Sequence, residues 1–512
     1  MEIKLIMKTA RSVSVELADG GIYRTNETYR IVMNGKFVKE TDNVITSVFA
    51  LKPMTSYHLE VEDLLGNCLG QTDFTTEEEF VTLDVRDFGA KGDGVQDDTS
   101  FIQAAILSCP PKGRVLITRG TYRITSLFLK SNIAVEITKD ARLQAIPERE
   151  KYPILPGLIE SQDEQDEYNL GTWEGNPLSM FSGVLCGIHL QNVLLYGEGV
   201  VDGAASRENW WDRPKIMRGA FRPRLLFLNH CENVKVQGLT FTNSPSWTLH
   251  PYFSDNLTFC GVEVNNPADS PNTDGLDPES CKNVDILGVK FSLGDDCIAV
   301  KSGKIYMGSK YKKPSENLRV YQCLMENGHG AVTVGSEIAG GVRNLLVENC
   351  LFSHTDRGLR VKTRRGRGKD SVLDQICFRN LKMDGVMTPF VVNSFYFCDP
   401  DGKTSYVQSR ETMPVDERTP SIKRLQFEHI EAVNCHVAAA YLEGLPEQKI
   451  EEILMKDVTI SFAEQAKAGV PAMSQGVDEC RKQGMFVKNV EHLELENVVI
   501  IGQEGKDFIL EE

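Results

Sequence analysis

No stretch of this 512-residue chain approaches the roughly 18 consecutive apolar residues needed to span a bilayer. Its 13 cysteines are scattered and form no Cys-x-x-Cys pair. That speaks against a disulfide framework and a paired-cysteine zinc site, and leaves reduced thiols packed as small hydrophobes. Positive charge is short: 56 Lys and Arg stand against 72 Asp and Glu, a net charge of −16. A basic, nucleic-acid-coating surface is thereby excluded. The first residues, Met1-Glu2-Ile3-Lys4-Leu5-Ile6-Met7-Lys8, lack a secretory pattern, and a cytoplasmic protein is the expectation. Helical periodicity is scarce too. Only Asp97-Asp98-Thr99, followed by Phe101, Ile102, Ala105 and Ile106, reads as a capped helix.

What remains is an ordinary globular composition, with 41% hydrophobic and 25% charged residues, in a chain too long for one small domain. Residues 1–78 read as short alternating strands, such as Ser12-Val13-Ser14-Val15-Glu16-Leu17. A hairpin signal, Asn34-Gly35, lies among them. The segment Leu51-Lys52-Pro53-Met54-Thr55-Ser56-Tyr57 resembles one of fibronectin type III domains, which implies a small β-sandwich in which Tyr57 is a corner residue.

From 79 to 512 the chain reads as a repeat. Asn192-Val193, Asn233-Val234, Asn256-Leu257, Asn283-Val284, Asn317-Leu318 and Asn344-Leu345 each open a short apolar alternation. The last four intervals between these Asn residues are 23, 27, 34 and 27. A period of this size, all strand and turn, predicts a parallel β-helix. The repeated Asn are expected to stack as an interior ladder at one corner. The recurring Cys231, Cys281, Cys323 and Cys350 are read as supporting such an interior stack.

Four features fall at coil-length spacing: Asn272-Thr273-Asp274-Gly275, Gly294-Asp295-Asp296, Gly328-His329-Gly330 and Arg360-Val361-Lys362. Singly each is bland: a turn, a surface acid pair, an exposed histidine, a solvated strand face. In a β-helix, residues one coil apart lie about 4.8 Å apart, so together they line one groove. Three carboxylates so close cannot all ionise freely, and at least one pKa should rise. A protonated carboxyl beside an ionised one can hydrolyse a glycoside, and two cations beside them suit a substrate bearing carboxylates. The glycines around His329 read as a place where backbone approaches a ligand closely.

These motifs, in this order, resemble the polygalacturonase family, family 28 of the glycoside hydrolases, with Val361 where the family has Ile. The opening loop Asp87-Phe88-Gly89-Ala90-Lys91-Gly92-Asp93-Gly94, and Asn243-Ser244-Pro245-Ser246-Trp247, belong to the same resemblance. It implies an all-β, right-handed parallel β-helix that hydrolyses α-1,4-galacturonic linkages with inversion. Asp295 would be the general acid, and Asp274 and Asp296 the bases that hold and activate water. His329 would tune the acid, and Arg360 and Lys362 would bind the galacturonate carboxylate, with Asn272 beside them. No metal or cofactor is expected, since carboxylates supply both proton transfers. Inversion asks for roughly 6.5–9.5 Å between acid and base.

Residues 357–369 hold seven basic residues in thirteen, without interleaved aromatics. They read either as a solvated loop or as a further uronate-binding wall that includes Arg364 and Arg365. This run and the N-terminal module resemble bacterial exo-acting members. Insertions at about 148–182 and 395–420 would close one end of the groove, with Trp173, Glu174, Asn393 and Tyr396 as candidate wall residues. The expected activity is release of galacturonic acid from the non-reducing end of a pectic chain, with no nucleic-acid or membrane partner. The rivals are hydrolysis of rhamnogalacturonan or xylogalacturonan, calcium-dependent pectate elimination, and non-catalytic pectin binding.

Overall fold

The computed structural model describes residues 1–160 and 167–511. Residues 2–75 form two antiparallel sheets of three and four strands around a small core that includes Val13, Val15, Ile31, Leu59 and Val61. Tyr57 Oη accepts a hydrogen bond from the Lys52 amide (2.9 Å), fixing the turn before its strand.

The rest winds into a parallel β-helix. A 23-stranded sheet begins at Thr82–Asp84 and forms two of its faces. The third face consists of a four-stranded sheet (Leu127–Phe128 to Leu249–Tyr252) and a seven-stranded sheet (Asp296–Val300 to Phe508–Glu511). Single bridges, Leu249 to Leu276 and Leu276 to Ile298, join these two across an irregular coil that carries Asp274. Inside, apolar side chains stack in register. One column runs Phe241, Val264, Phe291, Met325, Phe352 and Met383, all fully buried. Each such side chain contributes about 1.5–3 kcal/mol by leaving water. Among the described residues no helix is long and apolar enough to cross a membrane.

Three sequence expectations need correction. The Asn ladder exists but lies outside. Asn233 donates to Asn192 (2.7 Å), Asn283 to Asn256 (2.9 Å), Asn317 to Asn283 (3.0 Å) and Asn344 to Asn317 (2.8 Å). All are exposed, at φ between 52° and 57°. The corner needs a left-handed residue, which Asn tolerates, and the ladder amides there face solvent. The interior positions belong to the cysteines, at two different corners. The Cys231 and Cys281 amides donate to the Ser254 and Ser315 hydroxyls, whereas the Cys323 amide donates to Cys350 Sγ.

The helix Thr99–Ser108 forms, and its first amide is met by Asp97 (3.1 Å) rather than by Asp98. The buried Asp98 carboxylate accepts from the Lys91 and Gly92 amides (2.9 and 3.0 Å), pinning the opening loop instead. Two further helices, Ile305–Tyr311 and Ser405–Gln408, lie in connections.

The N-terminal sheets pack on a corner of the solenoid. Ser12 and Ser14 bond Gln237 (2.7 Å each), Tyr321 donates to Glu16 (2.6 Å), and Met7 and Ile45 cluster with Cys260 and Leu287.

Candidate active site

The third face carries a cleft of about 520 Å³, and none of its lining residues comes from residues 1–78. Asp296 opens the strand Asp296–Val300. Its oxygens accept from Arg360 Nη1 (2.9 Å) and Lys362 Nζ (2.8 Å), and the carboxylate is almost wholly buried. The two cations sit two residues apart on the strand Arg357–Lys362 and so share its outer face. Burial would raise the Asp296 pKa, but the Lys362 and Arg360 charges outweigh it and hold it well below the usual range.

Asp274 lies one coil away, where the Gly275 amide donates to the Asp296 carbonyl (3.0 Å). Burial, and then the charge of Asp295, push the Asp274 carboxyl up to about 8. The expected rise is therefore present, but it falls on a residue assigned as base.

Asp295 is the most open of the three, its side chain 23% exposed. It faces His329 Nδ1 at 3.5 Å. The nearby Asp295 carboxylate raises the His329 pKa despite partial burial. The glycines around His329 serve the neighbouring coil rather than a ligand. A Cβ on Gly328 would meet the Asp295 carbonyl at 2.7 Å, and one on Gly330 would lie 3.0 Å from Asp296 Oδ1.

One oxygen from each of Asp274, Asp295 and Asp296 lies within 4.8 Å of the others. This is tighter than the roughly 6.5–9.5 Å expected for an inverting pair. The trio is close enough for a cation, though Arg360 and Lys362 already engage both oxygens of Asp296.

The remaining candidates divide. Asn272, Glu174 and Tyr396 line the cleft. Asn272 Oδ1 accepts from Arg222 (2.7 Å). Lys362 Nζ lies 5.6 Å from the Tyr396 ring centre. Trp173, Asn393, Arg364 and Arg365 do not line it. Trp173 stacks on Phe221 at 4.7 Å with Arg224 over its ring, and Asn393 bonds the Phe395 amide in a turn. Arg364 pairs with Asp399 and Asp401, and buried Arg365 with Glu447 plus three carbonyls. A buried guanidinium must be paired, and these are paired internally, so they build the wall rather than present charge to a ligand.

Sequence reasoning missed Lys301, Glu337 and Trp247, which line the cleft floor. Lys301 donates to Glu337 (3.0 Å) and lies 4.3 Å over the Trp247 ring. Burial would lower the Lys301 pKa, but Glu337 and Asp277 raise it well above normal. The register held a signal: Val300 pairs with Val334 and Gly335 with Lys362, so Lys301 shares a row with Lys362.

Lys304 links the two insertions. Its amide donates to the Gly175 carbonyl (2.9 Å), and its ammonium lies 3.3 Å from Asp399. The central part of the first insertion, 161–166, lies outside the described residues.

Glycosyl hydrolases family 28 matches residues 165–476, more than half of the chain. The chain belongs to glycosyl hydrolase family 28. A second family, rhamnogalacturonase A/epimerase, pectate lyase-like, matches residues 82–148. A probable polygalacturonase of Vitis vinifera is 28% identical over 389 residues, 74% of each chain. An exo-poly-α-D-galacturonosidase of Dickeya chrysanthemi is 23% identical over 420 residues (71% of this chain, 66% of that one). An endo-polygalacturonase of Pectobacterium carotovorum is 27% identical over 319 residues (58% and 72%). Among solved structures, an exopolygalacturonase of Thermotoga maritima superposes with TM-score 0.64 and 26% identity, over 83% of this chain and 94% of that one. A family 28 exopolygalacturonase of Yersinia enterocolitica gives TM-score 0.72 at 18% identity (100% and 97%), a likeness of fold.

Proposed function

We propose that this family 28 enzyme is an exo-acting polygalacturonase that releases galacturonic acid from the non-reducing end of pectic chains, with inversion. The observation that carries the exo reading is the wall at Lys304. It ties segment 148–182 to segment 395–420, and both Glu174 and Asp399 line the cleft beside it. A groove blocked at one end admits a chain terminus and not a chain interior.

The chemistry follows from placement. Asp295, the most open carboxyl, delivers the proton to the leaving oxygen, and His329, held towards its protonated form by Asp295, resupplies it. Asp274 and Asp296 hold the attacking water. Arg360 and Lys362 neutralise Asp296 and present the positive edge that a galacturonate carboxylate requires.

Taken alone, the short carboxylate spacing would favour retention. The partners of the carboxylates support inversion instead. Asp296 has both oxygens engaged by cations, and Asp274 is buried, so neither is a free nucleophile.

The test is incubation with a galacturonate trimer, with products and anomers followed by NMR. Monomer of inverted configuration, released from the non-reducing end, is expected. Mixed oligomers from long polygalacturonate would overturn the exo assignment, and first product of retained configuration would overturn inversion.

A further inference from the structure

A base must be ionised when water attacks, yet Asp274 is buried among acids. Behind it, three residues along the same coil, lies Asp277. Its side chain is fully buried, and among the described residues neither oxygen has a hydrogen-bond partner. Lys301 Nζ, the nearest cation, stands at 3.7 Å, beyond hydrogen-bond length, and is committed to Glu337 at 3.0 Å. The other carboxyl that bears on Asp277 is that of Asp274, three residues back on the same coil. Two carboxylates cannot bond each other, whereas a carboxyl and a carboxylate can, through the one proton they share.

We propose that Asp277 is a positioning residue that carries this proton and donates it as a hydrogen bond to Asp274, keeping Asp274 an ionised acceptor for the attacking water. Asp277 touches neither substrate nor water. It acts through Asp274, and the inference rests on the hydrolase reading above. Its surroundings favour the neutral form. Burial and the Asp274 charge push its pKa up, against Lys301 and Arg224. The other charged groups packed around this floor are Glu279, itself pushed up to about 8 by burial, and Glu337, which Lys301 brings down to about 2 against burial. His250, between Arg224 and Glu279, is held neutral by burial. The cations thus already have Glu337 and Asp296 as counter-ions, and no cation bonds Asp277.

The alternative is an ionised Asp277 serving as a distant counter-ion to Lys301. The two differ in what an amide would do. Asp277→Asn keeps a neutral group able to donate to Asp274, whereas Asp277→Leu keeps the volume and removes the donor.

On a galacturonate trimer, D277N is expected to hold kcat within about fivefold of wild type with the pH profile in place. D277L is expected to lose about 10²-fold or more in kcat with KM unchanged. Its acidic limb should move to higher pH, because Asp274 without its donor ionises later. A purely structural role would change the melting temperature of both variants and leave that limb where it was. If wild type cleaves the trimer while D277N is as inactive as D277L, this inference fails and the hydrolase reading stands. An active D277L with an unmoved limb also overturns it. A wild type that cleaves no galacturonate overturns the hydrolase reading, and this inference with it.

Discussion

The solenoid stacks polar residues at one-coil intervals on two of its sides, with opposite results. On the Asn corner the stacked groups are identical, neutral and exposed, and each amide donates to the one before and accepts from the one after, as from Asn344 through Asn317 to Asn283. On the cleft face the same spacing brings Asp274, Asp296 and the Arg360–Lys362 pair together, buried and charged. There the stack does not satisfy itself. Among the described residues Asp296 gains two cations, Asp274 gains none within bonding distance, and Asp277 has no donor. Coil spacing is therefore neutral machinery. It makes a fastener when the stacked group is self-complementary and a reactive site when the groups are charged and shielded from water.

The sharpest way to test this contrast is to remove charge from the cleft without disturbing the stack. Asp295→Asn keeps the shape, and Asp295 is the carboxyl least involved in packing. The expectation is a loss of about 10³-fold in kcat on galacturonate trimer with an unchanged melting temperature. A variant that retains activity would show that Asp295 carries no proton in the reaction.

Next in size is a buried charge near the cleft that does no chemistry. Arg365→Met strands Glu447, whose side chain is 3% exposed, and frees three carbonyls that Arg365 now bonds. Removing one partner of a buried pair costs about 3–5 kcal/mol. Urea denaturation should register that loss while KM for the trimer holds. An intact fold with a raised KM would return Arg365 to the substrate site.

The same contrast explains what could be read from sequence. The Asn corner and the Asp, His and Arg-x-Lys motifs were legible because spacing alone places them on coils. The side of the wall on which the Asn lie was not, because spacing carries no information about which way a corner side chain points. Arg364 and Arg365 were misread because a basic run shows its charge and hides its partners: Asp399, Asp401 and Glu447 lie 35, 37 and 82 residues further on. Trp173 lies on the first wall segment but packs inward, and Asn393 ends the strand Thr388–Asn393 before the second and bonds in a turn. Lys301 lay within reach of register reasoning. Glu337 had no motif at all and is recognisable only by its contact with Lys301.

The smallest effect is expected on the Asn corner, and it tests the other half of the comparison. Asn283 sits mid-ladder at φ 57°, donating to Asn256 and accepting from Asn317. Asn283→Ala removes both bonds, but they are solvent-exposed, so water replaces much of each and the loss is about 0.5–1 kcal/mol per bond. Alanine must also hold the left-handed conformation, at a cost of about 1 kcal/mol. Asn283→Gly removes the same bonds with no conformational penalty in the folded state. If the corner is held by amide stacking, the two variants should destabilise nearly equally. If the demand for a left-handed residue dominates, glycine should be clearly milder than alanine. In either case kcat on the trimer should not move, because the neutral ladder and the charged cleft share only the spacing of the coil.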